Sequence, residues 1–164
     1  MTMANPYASH LGNRDAGAVI AETPAALRDL VARIAAEHID TPPSPGKWSA
    51  RKLLCHLADT EIVFAYRIRQ ALAEDHHVIQ PFDQDRWARQ YETAEAGDAA
   101  AALATFAAVR AWNIALLNTV AEDIGEKRLT HPERGEMAFS TIVETMAGHD
   151  LNHRAQLEAI TARR

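Results

Sequence analysis

The sequence predicts an all-α protein folded as a four-helix bundle. Four segments place apolar residues at three- and four-residue steps, and no segment alternates with a period of two over a useful length. The prolines and most of the glycines lie between these segments, where they would end helices. Four long amphipathic helices are typical of a bundle, and 164 residues suit one domain covering residues 1–164.

The first two helices are predicted from their capping residues and apolar stripes. The first covers about residues 24–39, because Thr23 is a good N-cap and Pro24 is tolerated at the first helical position. The second begins after Ser49, its predicted N-cap, and runs to about Ala73. Prolines in the segment between them stop the first helix.

The third and fourth helices are predicted in the same way. Asp98 follows a glycine and is the expected N-cap of the third helix, which runs to about residue 122. The fourth begins near Ser140 or Thr141 and continues towards the C-terminus. Thr141 with Glu144 would form a capping box there.

The connection between the second and third helices, residues 74–97, decides the predicted topology. It is long enough to cross the length of the bundle, which permits an up-down-down-up order of helices. Residues 83–91 within this connection are predicted to contain a short extra helix.

Composition excludes several classes of protein. Seventeen Lys and Arg against twenty-two Asp and Glu give a net charge of −5, which disfavours non-specific nucleic-acid binding. The single cysteine, Cys55, excludes an intrachain disulfide and suits a reducing cytoplasm. The sequence has no run of eighteen apolar residues, so it predicts no membrane span, and residues 1–20 lack the pattern of a signal peptide. We therefore expect a cytoplasmic protein whose partner is a small molecule.

Three histidines on predicted buried faces indicate a metal site. His149 and His153 lie one helical turn apart near the centre of the apolar stripe of the fourth helix. His56 lies near the inward arc of the second helix, which a bundle readily places beside the fourth. Three imidazoles would leave a divalent ion with open coordination positions, as in catalytic sites. The alternative is that these are hydrogen-bonded core histidines without a metal.

Four further polar residues lie on or near inward faces. Asp150 would orient an imidazole or act as a base towards bound water, or else form a salt bridge to a neighbouring helix. Arg67, Arg110 and Asn113 would bind an anionic substrate beside the metal. Alternatively, each arginine extends to solvent or pairs with an inward acid such as Asp150.

The remaining candidates have simpler interpretations. Cys55 is expected to be a small buried apolar residue, and Asp59 and Glu61 are expected on the surface. The other histidines are also expected on the surface, with the last of them the one worth testing: His10, His38, His76, His77 and His131.

The same residues carry a family resemblance. Trp48-Ser49 followed by residues 56–61 (HLADTE), and residues 149–157 (HDLNHRAQL), resemble the two motifs of the DinB-like metal-binding four-helix bundles. Residues 81–88 (PFDQDRWA) are similar to the connecting segment of many members. The resemblance extends from about Leu11 to Ile160.

The resemblance implies an up-down-down-up bundle in which His56, His149 and His153 bind a divalent ion, zinc or nickel. It also implies a homodimer, and it implies no DNA binding. Related bundles include transferases and isomerases that depend on a low-molecular-weight thiol, as well as metal-dependent hydrolases. Because a fold does not fix chemistry, thiol transfer and hydrolysis both remain open.

Overall fold

Six helices and a short β-hairpin build the chain in this computed structural model, which describes residues 5–93 and 97–162. The elements are α1 (Ala8–Leu11), α2 (Ala16–Val31), α3 (Ala50–Ala73), α4 (Gln84–Ala88), α5 (Ala99–Leu117), β1 (Arg128–His131), β2 (Gly135–Ala138) and α6 (Phe139–Thr161). The long helices α2, α3, α5 and α6 form the four-helix bundle. The predicted domain limits, residues 1 and 164, and residues 94–96 of the predicted crossover lie outside the described residues.

Two apolar core clusters, one towards each end of the bundle, show the directions of the helices. α2 and α6 begin in the first cluster, with Ile20 and Met146, and end in the second, with Leu30 and Leu157. α3 and α5 begin in the second cluster and end in the first. The order is therefore up-down-down-up, and the predicted topology is confirmed.

α2 begins eight residues before its predicted start, and the predicted N-cap is wrong. Asp15 caps the helix by accepting a hydrogen bond from the Ala18 amide, which places Pro24 inside α2. Thr23 is fully buried, and its hydroxyl donates back to the carbonyl of Val19. Thr23 and Pro24, which suit a helix start, therefore lie inside α2, where the Thr23 hydroxyl bonds to the backbone of the preceding turn.

The predicted bounds hold for α3 and for the start of α5. The Ser49 hydroxyl accepts a hydrogen bond from the Lys52 amide, and Asp98 caps α5 in the same manner. α5 ends at Leu117, short of residue 122. The Thr119 hydroxyl donates to the carbonyl of Leu116 and competes there with the helical hydrogen bonds.

The β-hairpin is an element that the sequence analysis did not predict. β1 and β2 pair antiparallel from Arg128 opposite Ala138 to His131 opposite Gly135. Each strand has only four residues, too few for a period of two to be recognised. Gly135 adopts a φ of 82°, which suits glycine at the turn.

The hairpin also explains why the fourth helix begins just before its predicted start and without the predicted cap. α6 begins at Phe139, directly after β2, and the Phe139 amide donates to the carbonyl of Lys127. The N-cap is Ala138, which has no capping side chain, so the predicted Thr141–Glu144 capping box does not form.

The crossover between α3 and α5 contains the predicted short helix, α4. The carboxylate of Asp83 caps it by accepting from the amides of Asp85 and Arg86, and a 3-10 turn at Arg89–Tyr91 follows. This crossover carries residues along the outside of the bundle, including Phe82 and Gln84, which lie at the edge of the candidate site.

α5 is the one helix, among the described residues, that is long and apolar enough to span a membrane by length and composition. Arg110 and Asn113 interrupt the apolar sequence and are fully buried inside the bundle. Core helices of folded proteins can have the same length and composition, so these two properties do not distinguish a core helix from a membrane span.

Candidate metal centre

Three histidines from two helices meet between the two core clusters. His56 comes from α3, whereas His149 and His153 project from successive turns of α6. The Nε2 atoms of His56 and His149 are 3.0 Å apart, and one ligand atom from each of the three rings lies within 4.8 Å of the others. All three side chains are buried. We refer to these residues as the histidine cluster.

Burial keeps the three imidazoles neutral. It lowers the pKa of His56 to about 3, with His153 adding to the effect, and it lowers the pKa of His153 to about 4. The pKa of His149 is lowered well below its usual value by burial and by the neighbouring rings. Neutral rings at pH 7 have lone pairs available for a cation, and a protonated ring would not.

The cluster fits a divalent transition metal. Nδ1 of His153 is buried and has no hydrogen-bond partner among the described residues, so the protein leaves a nitrogen of the cluster unmatched. Imidazole nitrogens suit zinc and nickel better than the hard cations magnesium and calcium. Three protein ligands are one fewer than the four that close a structural zinc site.

A second buried polar cluster adjoins the first. Both oxygens of Glu61 and both oxygens of Asp150 accept hydrogen bonds from Arg110, at distances between 2.6 and 3.1 Å. Asn113 donates to Glu61 at 2.7 Å. Burial acts to lower the pKa of Arg110, but the two carboxylates outweigh it and raise that pKa. We call Glu61, Arg110, Asn113 and Asp150 the ion-pair cluster.

Pro24 accounts for the fifth hydrogen bond of Arg110. A proline inside a helix cannot donate to the carbonyl four residues earlier, which here is Ile20. Nη1 of Arg110 donates to that carbonyl at 2.9 Å. The guanidinium therefore uses all five of its N–H groups within the protein.

This arrangement decides between the alternatives for three predicted site residues. Arg110 has no donor left for a substrate, and it pairs with Asp150, as the alternative interpretation states. Asn113 is fully buried between Glu61 and Arg69, to which both ends of its amide are hydrogen-bonded. The carboxylate of Asp150 points to Arg110 and makes no hydrogen bond to a histidine among the described residues. The structure therefore favours the alternative interpretation for these residues, which is pairing within the protein.

Two cavities border the histidine cluster. One of about 440 Å³ is bordered by Trp48 and His153, and one of about 230 Å³ by Arg67 and His149. Tyr7 and Gln84 line both cavities. A larger cavity of about 900 Å³ lies elsewhere, beside the start of α2, and contains none of the three histidines. Arg67 thus shares a cavity with a histidine of the cluster, as its predicted role requires.

Tyr7 is a site residue that the sequence analysis missed. Its ring packs edge-on against the ring of His149, with centroids 5.2 Å apart. A Cβ at Gly148 would lie 2.5 Å from the Tyr7 carbonyl oxygen, so glycine is required for this approach. Glycine inside a helix costs about 1 kcal/mol relative to alanine. Gly148, directly before His149, was the available signal that another segment lies against α6.

Three residues expected on the surface are buried. Glu61 belongs to the ion-pair cluster, whereas His77 lies against Glu74 and His131 lines the smaller cavity. His131 is buried because β1 turns it inwards, and a strand of four residues is too short to be recognised in the sequence. Cys55 is buried, as predicted.

Fold and site together define a class of protein: a four-helix bundle of up-down-down-up topology with a buried three-histidine cluster that could hold a metal ion. The family model of the DinB superfamily matches residues 20–157. The chain belongs to the DinB superfamily.

Relatives of similar length are named for metal-dependent chemistry. The chain is 27% identical over 145 residues to the "putative metal-dependent hydrolase OB0782" of Oceanobacillus iheyensis, covering 88% of this chain and 83% of that protein. It is 25% identical over 146 residues to the "putative metal-dependent hydrolase YfiT" of Bacillus subtilis, covering 88% and 82%.

The fold matches a solved structure as well. The structure of Bacillus subtilis YfiT, described as "a probable metal-dependent hydrolase with an unusual four-helix bundle topology", superposes with a TM-score of 0.81 at 25% identity. The match covers 90% of this chain and 85% of YfiT. This likeness confirms the four-helix bundle.

Proposed function

We propose that this chain is a metal-dependent enzyme that acts on a small molecule, with His56, His149 and His153 holding one divalent ion. The observation that carries the proposal is the cluster of three buried, neutral imidazoles with an unmatched nitrogen, bordered by cavities. A divalent ion bound there lowers the pKa of a water or a thiol beside it and so supplies a nucleophile at neutral pH. Zinc and nickel are the ions whose preferences match three nitrogen ligands.

The protein's own residues would position the reactants. Tyr7 and Trp48 provide aromatic walls beside the cluster, where they pack against His149 and His56 with ring centroids 5.2 and 5.0 Å apart. These walls and the depth of burial limit the access of bulk water. The buried ion-pair cluster fixes α6 against α3 and thereby fixes the relative positions of the three rings.

Two cavities favour a reaction with two substrates, which is group transfer to or from a low-molecular-weight thiol. The thiol would occupy one cavity and the electrophile the other, so that both reach the histidine cluster. In such a step the thiol loses its proton, a sulfur–carbon bond forms, and the leaving group departs with its electron pair and takes up a proton. Hydrolysis is the second candidate and is supported by the names of the relatives.

Metal content tests the proposal without assuming a substrate. Purified protein is stripped with chelator, reloaded with zinc or nickel, and measured by elemental analysis. We expect about one ion per chain, because one nitrogen from each of three rings converges on one point. His153→Ala should lose tight uptake while its circular dichroism spectrum remains helical.

His38→Ala is the matched control, since His38 is exposed and distant from the cluster in sequence. It should bind metal as the wild type does. Full metal retention by His153→Ala would contradict the assignment of the ligands. A screen of thiol conjugations and of ester and amide hydrolyses then separates the two reactions, and any turnover should vanish with chelator.

The remaining expectations are part of the same proposal. A net charge of −5 supports a small-molecule partner over a nucleic acid. The cytoplasmic location is supported by the lone, buried Cys55. The homodimer is supported by the family resemblance, and sedimentation of the purified chain tests it.

A further inference from the structure

The smaller cavity beside the histidine cluster has a cationic wall. Arg67, from α3, and Arg134, from the turn of the hairpin, both line it together with His149. Neither guanidinium forms an ion pair with any carboxylate within residues 5–93 and 97–162. Glu133 is the acidic residue in this wall, and its side chain is exposed to solvent. Two cations therefore line a cavity in which Glu133, which pairs with neither of them, is the one carboxylate among the described lining residues.

The guanidinium of Arg67 is held in place, but not all of its N–H groups have a hydrogen-bond acceptor among the described residues. Its Nη2 donates to the carbonyl of Gln80 at 3.1 Å, and its Cζ lies 5.8 Å from the centre of the Phe82 ring. Its Nε is buried without a hydrogen-bond partner in the described part of the chain. Burial, and then the charge of Arg134, lower the pKa of Arg67 to about 10, so it stays cationic at pH 7.

His131 adds a donor to the same wall. Its Nδ1 accepts a hydrogen bond from the Glu133 amide at 3.2 Å, so in the neutral ring Nε2 carries the proton. Burial, Arg134 and Arg67 lower the pKa of His131, which keeps the ring neutral at pH 7. The lining residues of the cavity thus carry two guanidinium groups and an imidazole N–H.

We propose that this cavity binds a small organic carboxylate, whose carboxylate group pairs with Arg67 and Arg134 and whose apolar body lies against Phe64 and Phe82. Guanidinium groups bind carboxylates through paired hydrogen bonds, and the phenylalanine rings give an inorganic ion nothing to contact. The volume of about 230 Å³ limits the ligand to a small molecule. The proposal rests on the proposed function in one respect: the substrate's reacting end would point to His149.

Binding of benzoate to chelator-treated protein tests this site apart from any metal. A ligand-observed NMR titration compares benzoate with its neutral analogue benzamide and with inorganic phosphate. We expect saturable binding of benzoate, with an affinity at least about tenfold lower for Arg67→Met and for Arg134→Met, since each loses a charged hydrogen-bonding partner. Benzamide should bind at least about tenfold more weakly than benzoate to the wild type.

Arg128→Met is the matched control, because it removes the same charge from an exposed position on β1 of the same hairpin. Its affinity for benzoate should equal that of the wild type. Arg67→Lys keeps the charge but loses the planar fork, so it separates recognition from charge alone, and thermal melting verifies that each variant is folded. Equal affinity of the wild type and both methionine variants would overturn the proposal, as would tighter binding of phosphate than of benzoate.

The outcome is distinguishable from failure of the proposed function. His153→Ala should bind benzoate as the wild type does, because Arg67 and Arg134 do not depend on a metal. Loss of benzoate binding in protein that still takes up zinc would overturn the carboxylate site alone. Benzoate binding without metal uptake would leave this site in place and remove the proposed metal chemistry.

Discussion

Two buried polar clusters lie side by side in this bundle, and α6 contributes to both through consecutive residues, His149 and Asp150. In the ion-pair cluster, every N–H of Arg110 has an acceptor and Glu61 also accepts from Asn113. In the histidine cluster, the rings are neutral and a buried nitrogen of His153 lacks a partner among the described residues. One cluster is complete within the protein, and the other leaves a place for a ligand.

The difference leads to separate expectations for the two clusters. Burying a polar group without a hydrogen bond costs about 1–3 kcal/mol, so an unmatched group persists where a function requires it. The ion-pair cluster joins four helices, since Arg110 of α5 contacts Glu61 of α3, Asp150 of α6 and the Ile20 carbonyl of α2. It is therefore a structural support, and variants of the two clusters should behave differently.

The largest effect is expected for Arg110→Met. The substitution leaves two buried carboxylates without their cation and the Ile20 carbonyl without a donor. Breaking a buried ion pair from one side costs about 3–5 kcal/mol, a large part of the stability of a single domain. Urea unfolding at pH 7, in the presence of chelator, measures the loss.

Two further variants make this test sharper. Arg110→Lys keeps the charge but supplies three donors in place of five, so its loss should be smaller than that of Arg110→Met. Arg128→Met removes an exposed arginine and should stay within about 0.5 kcal/mol of the wild type. If Arg110→Met unfolded at the wild-type urea concentration, the ion-pair cluster would not be the support described above.

The sequence predicted the histidine cluster better than the ion-pair cluster, for a physical reason. His149 and His153 repeat at helical spacing within an apolar stripe, and a stripe can be recognised in one segment. The partners of Arg110 come from three other helices, so no local pattern identifies Glu61 or the Ile20 carbonyl, and Asp150 is predicted only as one of two alternatives. A proline such as Pro24 is predicted at a helix start because its missing N–H is harmless there, whereas Pro24 lies inside α2 and Arg110 donates to the Ile20 carbonyl that it leaves without a partner.

The hairpin and its residues lay beyond prediction for the same reason. Strands of four residues show too little alternation to be recognised, and β1 alone brings His131 inwards. The close approach of Tyr7 to α6 is likewise a tertiary contact, and its one signal in the sequence is the glycine at position 148. The helices and their order were predictable, because amphipathic stripes and a long crossover are properties of the sequence itself.

Acid should weaken the metal-free protein through the histidine cluster. In the unfolded chain the histidines take up protons near pH 6.5, whereas the folded-state pKa values are about 3 for His56 and about 4 for His153. The unfolded state therefore binds more protons between those limits, and stability falls as the pH falls from about 6.5. From pH 6.5 to 5 the loss is on the order of 2 kcal/mol per ring.

Urea unfolding of chelator-treated protein at several pH values measures this dependence. His38→Leu should show the same pH dependence as the wild type, because His38 is exposed in the folded chain. Stability that did not change between pH 6.5 and 5 would mean that the buried rings accept protons without unfolding, which contradicts their neutral state.

Among variants of the two clusters, the smallest change in stability is expected for His153→Leu. Leucine has a similar size to histidine, removes the Nδ1 that lacks a partner, and adds apolar surface near Leu157. The free energy of unfolding of the metal-free variant should therefore lie within about 1 kcal/mol of the wild-type value. The same variant should lose metal uptake, since one of three ligands is gone. Urea unfolding in chelator and elemental analysis after reloading measure the two effects.

A loss of about 3 kcal/mol or more, comparable to the expected effect of Arg110→Met, would show that His153 supports the fold as Arg110 does. Little change in stability with complete loss of metal would show that the neighbouring clusters, built on consecutive residues of one helix, have separate roles.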